Sequence, residues 1–306
     1  MSRYLLSRLS EAVIAILGVI TIVFIAARLS GDPTVLMLPV GATDAQLAEL
    51  RQQLGLDRPV TVQYVSFLRD VLRGDFGESF QHHRPAFEVV LERFPYTALL
   101  AFTSLALGTL LGGVFGFVAA RYRGSIVELI AMLIALVGQA TPVFWLGILL
   151  IMVFAVNLGW LPTGGADSWR NLVLPAITLA AFTSASIARL LRSSMLNVLR
   201  EDYIRTAWAK GLQPRLVYGR HAVRNALVPV ITMIGILAGE LLGGAVVIET
   251  VFAWPGVGRV IIQAIEAKDF AVVQAGVFLI AFVFVLVNLV VDLLYGVLDP
   301  RIRLSR

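Results

Sequence analysis

Residues 189–229 read RLLRSSMLNVLREDYIRTAWAKGLQPRLVYGRHAVRNALVP. Eight side chains in this stretch are basic: Arg189, Arg192, Arg200, Arg205, Lys210, Arg215, Arg220 and Arg224. Only Glu201 and Asp202 oppose them, and apolar runs long enough to cross a bilayer flank the stretch on both sides. A long basic segment between two spans is a cytoplasmic loop by the positive-inside rule. Its inner pattern predicts a compact knob. Asp202 can cap a short helix through Ala209, and Gly211 can end it. Pro214 suits the first turn of a second helix carrying Val217, His221, Val223 and Arg224 toward Pro229. Small residues at Ala207, Ala209 and Gly211 would let another backbone approach closely.

Working outward, the chain has 306 residues, 58% of them hydrophobic and 15% charged, with a mean hydropathy of +0.85. A soluble domain carries about 45–50% apolar residues. The excess here lies in long runs, so the chain is read as an all-α integral membrane protein. Six apolar runs are predicted: 9–29, 97–120, 126–156, 172–190, 227–248 and 272–297. The first, preceded by Arg3 and Arg8, is near the roughly 20 residues a span needs and longer than a signal-peptide core. The third is too long for a straight span, and Gln139-Ala140-Thr141-Pro142 should kink it. The formal net charge of +5 sits at span ends, so membrane lipid rather than nucleic acid is the implied neighbour. Fifteen basic residues fall on the proposed inner side: Arg3, Arg8, Arg121, Arg123, the eight above, Arg301, Arg303 and Arg306. The short outer loops hold three, Arg170, Arg259 and Lys268, while the long first loop holds six, Arg51, Arg58, Arg69, Arg73, Arg84 and Arg93, but long translocated segments escape the rule. Both termini are therefore expected in the cytoplasm. Residues 30–95 read as an external helical cap. Thr43 and Gln46 form a capping box before one helix, Asp57-x-Pro59 starts another, and 86–93 is a third short piece before Pro95.

The order Tyr203-Ile204-Arg205-Thr206-Ala207-x-Ala209-Lys210-Gly211, followed by His221-x-x-Arg224-Asn225-Ala226-x-x-Pro229, resembles the EAA loop of binding-protein-dependent ABC importer permeases. Arg205 stands where the general pattern has Glu, and the distance from Gly211 to Pro229 is longer. Both departures are similar to the peptide/nickel subfamily. Gln53-Leu54-Gly55-Leu56-Asp57-x-Pro59, Gly74-Asp75-Phe76-Gly77-x-Ser79, Trp254-Pro255-Gly256-Val257-Gly258, Asn288, Asp292 and Asp299-Pro300-Arg301 extend the resemblance over nearly the whole chain. It implies a single permease domain over 1–306 in the bacterial cytoplasmic membrane. Its partners would be a second homologous permease, two ATPase subunits and an external substrate-binding protein. The loop residues implied to dock on the ATPase are Asp202, Tyr203, Arg205, Thr206, Ala207, Ala209, Lys210, Gly211, His221, Arg224 and Asn225. The cargo implied is a dipeptide, oligopeptide, glutathione or nickel complex.

Chemistry is sparse. There is no cysteine, hence no thiolate site. A P-loop needs Gly-Lys followed by Ser or Thr, yet Lys210 precedes Gly211 and Lys268 precedes Asp269. If transport is ATP-driven, as the resemblance implies, ATP and Mg act on partner subunits, with no cofactor on this chain. An ion-coupled secondary transporter is the alternative and would need ionisable residues within the spans. Asp292 lies close to the inner boundary. Glu240 sits deep, among Ala238, Gly239, Gly243 and Gly244. It is read either as a pathway residue that attracts the amino group of a peptide, together with Gln139, or as a structural partner of Asn288 or of the second permease. An intramembrane hydrolase would have only His221 and Glu240 to draw on, far apart in the topology. His82-His83 lacks a third metal ligand, and no catalytic or metal set is expected.

Overall fold

The computed structural model describes residues 2–29, 34, 42–53 and 55–298. Leu54, most of 30–41 and the segment from Asp299 onward, with Arg301, Arg303 and Arg306, lie outside the described residues, as do the side chains of Asp292 and Gly244. The helices in order are α1 (Ser2–Leu29), α2 (Asp44–Gln53), α3 (Val60–Val71), α4 (Ala86–Arg121), α5 (Ile126–Ala140) and α6 (Val143–Leu150). They continue with α7 (Arg170–Val198), α8 (Asp202–Ala209), α9 (Pro214–Leu216), α10 (Arg224–Val251), α11 (Val257–Glu266) and α12 (Phe270–Leu298). Among the described residues, five helices are long and apolar enough to cross a membrane, and six if the bent pair α5–α6 counts as one span. This is the all-α multi-pass architecture expected from the apolar runs.

The chain separates into two compact units, 1–96 with 255–285, and 97–254 with 286–306. In the first, Thr43 makes the predicted capping box. Its backbone N–H donates to Gln46 Oε1 at 2.9 Å, and the Gln46 N–H donates to Thr43 Oγ1 at 3.4 Å. Glu11, which interrupts the first apolar run, is met by Arg8 one turn earlier at 2.8 Å. The core of this unit gathers Ile20, Val71, Phe76, Val90, Ile261 and Val272. α11 turns Val257, Val260, Ile261 and Ala264 inward, a spacing that puts all four on one helical face.

Two expectations change here. The short piece at 86–93 does not stop before Pro95: α4 runs on to Arg121 with Pro95 inside it. The cap is also not wholly helical, because Glu78–Ser79 (β1) pairs antiparallel with Arg84–Pro85 (β2). This hairpin is held by a buried carboxylate. Ser79 Oγ donates to Asp269 Oδ2 at 2.5 Å, and both residues are almost fully buried, at 0% and 1% exposure. The His82 backbone N–H and its Nδ1 lie 2.9 and 3.0 Å from the same Ser79 oxygen. On the hairpin's exposed side Arg84 meets Glu92 at 2.5 Å. That hydrogen bond raises the guanidinium pKa above its ordinary value.

The second unit is built around α7, whose most apolar stretch is two-thirds buried. α5, α6 and α10 pack on it, and so does α4 through a glycine face. A Cβ at Gly112 would stand 2.6 Å from the Ser184 carbonyl oxygen, and one at Gly116 2.7 Å from that of Ala188. At Gly108 it would strike Thr183. Three glycines spaced by four therefore bring two backbones together at a distance no larger residue permits. The predicted kink at Pro142 is a full break. α5 and α6 are bent by 106°, with Thr141 extended and Pro142 at the N-cap of α6, where its missing N–H costs nothing. Beyond α6, a π-helical turn, Ile151–Asn157, leads to the 164–171 corner. There the Asn171 side chain donates to the Gly164 carbonyl at 2.6 Å, and the Gly165 N–H donates to Phe252 O at 2.9 Å.

Candidate functional site: the basic knob and the Glu240 cavity

The knob forms as a two-helix turn. The N-cap of α8 is Glu201 rather than Asp202, and Asp202 occupies the first helical turn without a side-chain cap bond. Its charge still favours the positive end of the helix. Gly211 has φ +73° with open space around it, so glycine is needed for conformation and not for room. From Pro214 the chain runs through α9 and a π-helical segment, Val217–Val223, directly into α10. The expected boundary near Pro229 is absent, and that proline lies inside α10.

One face of α8 is inward: Ile204 and Ala207, at 0% and 6% exposure, join Met195, Val217, Ala222, Ala226 and Val230 in one apolar cluster. Ala207 is small because its own chain packs on it. The other face is open and carries Tyr203, Arg205, Thr206, Trp208 and Ala209, continuing to Lys210 and Gly211. Asn225 Nδ2 donates to Tyr203 Oη at 2.8 Å and to His221 O at 3.1 Å, which ties the two ends of the knob. Arg121 stacks over the Tyr218 ring, 4.8 Å from its centroid, and Tyr218 meets Trp208 edge-on. Among the described residues the exposed Arg205 pairs only with Asp202 one turn back, at 3.3 Å, a pair worth little in water. Arg224 is exposed and His221 partly so. Arg192 behaves differently: its Nε donates to Glu128 Oε1 at 2.6 Å, which fixes α7 to the start of α5.

Glu240 lies near the middle of α10 and is exposed. It lines a cavity of about 280 Å³ with Val143, Leu179, Phe182, Thr183, Leu237 and Leu241. Val143 is the first residue of α6, so the break after Ala140 is what brings that helix to the cavity. Glu240 makes no hydrogen bond or ion pair among the described residues, and Asn288 is not its partner. Gln139 is elsewhere: its Nε2 donates to Ser186 Oγ at 3.4 Å, its Oε1 is buried without a partner, and it does not line this cavity. A second acid, which the sequence pattern puts at the start of the outer loop between the fifth and sixth runs, belongs to the helix instead. Glu249, at the last apolar turns of α10, is fully buried, and Thr97 Oγ1 donates to its Oε1 at 2.6 Å. Its place at the edge of an apolar run made it look like loop.

The family model described as "Binding-protein-dependent transport system inner membrane component" matches residues 112–304. The chain belongs to that family. The corresponding N-terminal model, "Binding-prot-dependent transport system membrane comp, N-term", matches residues 1–101. The "Glutathione transport system permease protein GsiC" of Salmonella choleraesuis (strain SC-B67) is 44% identical over 304 residues, 99% of each chain. The protein of the same name from Escherichia coli (strain K12) is 44% identical over 305 residues, again 99% of each. Two solved structures share the fold. "Inward facing conformations of the MetNI methionine ABC transporter: CY5 native crystal form" has TM-score 0.56 at 18% identity, covering 69% of this chain and 96% of that one. "Crystal structure of an amino acid ABC transporter with histidines" has TM-score 0.54 at 17% identity, covering 70% and 94%. This chain is thus a multi-pass inner-membrane permease subunit of an ABC importer, a multi-subunit machine.

Proposed function

We propose that this subunit forms half of the translocation pore for peptides and couples to a separate ATPase subunit through the knob at 202–225. A second homologous permease, two ATPase subunits that hold ATP and Mg, and an external binding protein complete the assembly. The supporting observation is the exposed face of α8. Tyr203, Arg205 and Trp208 stand out from a helix whose other face is locked into the bundle. An aromatic and basic ridge on a rigid base fits an acid-rimmed groove in a partner. Residues 189–229 and both termini face the cytoplasm on this reading, 30–95 face outward, and the whole chain is one permease domain. Glu240 lines the pathway. The peptide class follows the 44% identical glutathione permeases.

The test is reconstitution. The complex, assembled with its ATPase and binding protein, takes up peptide only when ATP is supplied. Uptake by this chain alone, driven by an ion gradient, would replace the reading with a secondary transporter.

A further inference from the structure

The cavity beside Glu240 has a lopsided chemistry. It offers a ligand one carboxylate, five apolar side chains and a threonine whose hydroxyl already donates to the Ala180 carbonyl at 3.1 Å. Among the described residues of this chain no arginine, lysine or histidine lines it, so this subunit offers a ligand carboxylate no counter-charge there. An unpartnered acid this deep in a span costs about 2.5–3.5 kcal/mol on insertion scales and is a functional signal by default. The volume of about 280 Å³ is below the range for a whole drug-sized ligand, and it matches one part of a larger molecule.

We propose that this cavity is a subsite for the N-terminal residue of an ordinary α-peptide, with Glu240 taking the α-ammonium and the apolar wall taking a bulky apolar side chain. The proposal rests on the reading that α10 lines the pathway. It also separates this chain from what its relatives' names state. In glutathione the N-terminal residue is joined through its side chain, so a free carboxylate sits on the same carbon as the ammonium. Placed in this cavity, that carboxylate would lie against Glu240 with nothing to neutralise it. In an α-peptide the same carbon carries an amide carbonyl and the side chain, and no such repulsion arises.

The experiment uses the absence of cysteine from the chain. Val143→Cys places one thiol on the cavity wall, and its alkylation is followed by mass in the full reconstituted complex. Leu-Gly, N-acetyl-Leu-Gly and S-methylglutathione serve as protecting probes. Leu-Gly should slow alkylation, and the other two should need about tenfold higher concentration or more, the range of a lost charge-assisted hydrogen bond. Glu240→Gln in the same background should erase the difference. Equal protection by S-methylglutathione, a preference that survives Glu240→Gln, or a thiol that no probe protects would each overturn the subsite. ATP-driven uptake in the same vesicles separates this from the wider reading. If alkylation of the thiol and Glu240→Gln both block uptake without any probe preference, the pathway stands and the subsite falls. If neither affects uptake, the pathway reading falls as well.

Discussion

Gly211 shows how a single residue's geometry can be read from sequence. Its place after an eight-residue helix and before Pro214 requires a left-handed turn, and the turn is there at φ +73°. Gly211→Val should strain that turn by about 1–2 kcal/mol or more and weaken ATPase binding or substrate-stimulated hydrolysis while leaving membrane insertion intact. Arg205→Glu should do the same by charge alone, since Arg205 has only an exposed neighbour to lose. Co-purification of the ATPase with each variant checks both, and normal assembly with full stimulation would return the loop to a topological role. Glu249 is the opposite case. Its partner Thr97 is 152 positions away, and no periodicity links them. Thr97→Val should cost about 1–3 kcal/mol by removing a donor from a buried carboxylate, and Thr97→Ser should restore most of it. Thermal unfolding in detergent reads the pair.

Among the elements, prolines were the least reliable punctuation. The helix passes through Pro95, Pro175 and Pro229, yet the chain turns by 106° just before α6. The difference lies in what surrounds the ring. Pro142 follows an extended Thr141 and begins a new helix, whereas the other three lie inside long apolar helices whose neighbours sustain them. The hairpin at 78–85 could not be read at all, because two-residue strands show no alternation and Asp269 holds them from 190 positions away. The glycine face of α4 went unread, although Gly108, Gly112 and Gly116 are spaced by four and α7 shows the same spacing at Ala180, Ser184 and Ala188. Gly112→Val should therefore push α4 and α7 apart and cost about 1–3 kcal/mol as overpacking. Gly113→Ala, with nothing within 4 Å of its Cβ, should be neutral or slightly stabilising. The melting temperatures of the two variants decide whether the stripe or merely glycine content matters.

At the scale of the whole molecule, composition and charge placement were enough for the membrane class and the six-span plan. The loop pattern was enough for the family. The cavity was not legible, because it is assembled from α6, α7 and α10 and depends on a break that reads only as a bend. Orientation is open to direct measurement: a cysteine at Gln213 should resist impermeant reagents in intact cells and react in inverted vesicles, with the reverse at Gln46. One mechanical consequence follows from the uninterrupted path out of the knob. From Pro214 the helical path runs through Val217–Val223 into α10 and ends only at Val251. On the proposed coupling, such a rod would act as a lever whose foot lies where the ATPase pushes. Glu240 rides on it, about 39 Å from Pro214 at a rise of 1.5 Å per residue. A tilt of about 5° at the foot then sweeps the carboxylate sideways by about 3 Å at that arm length. That is one hydrogen-bond length, enough to separate an acid from an ammonium it was holding.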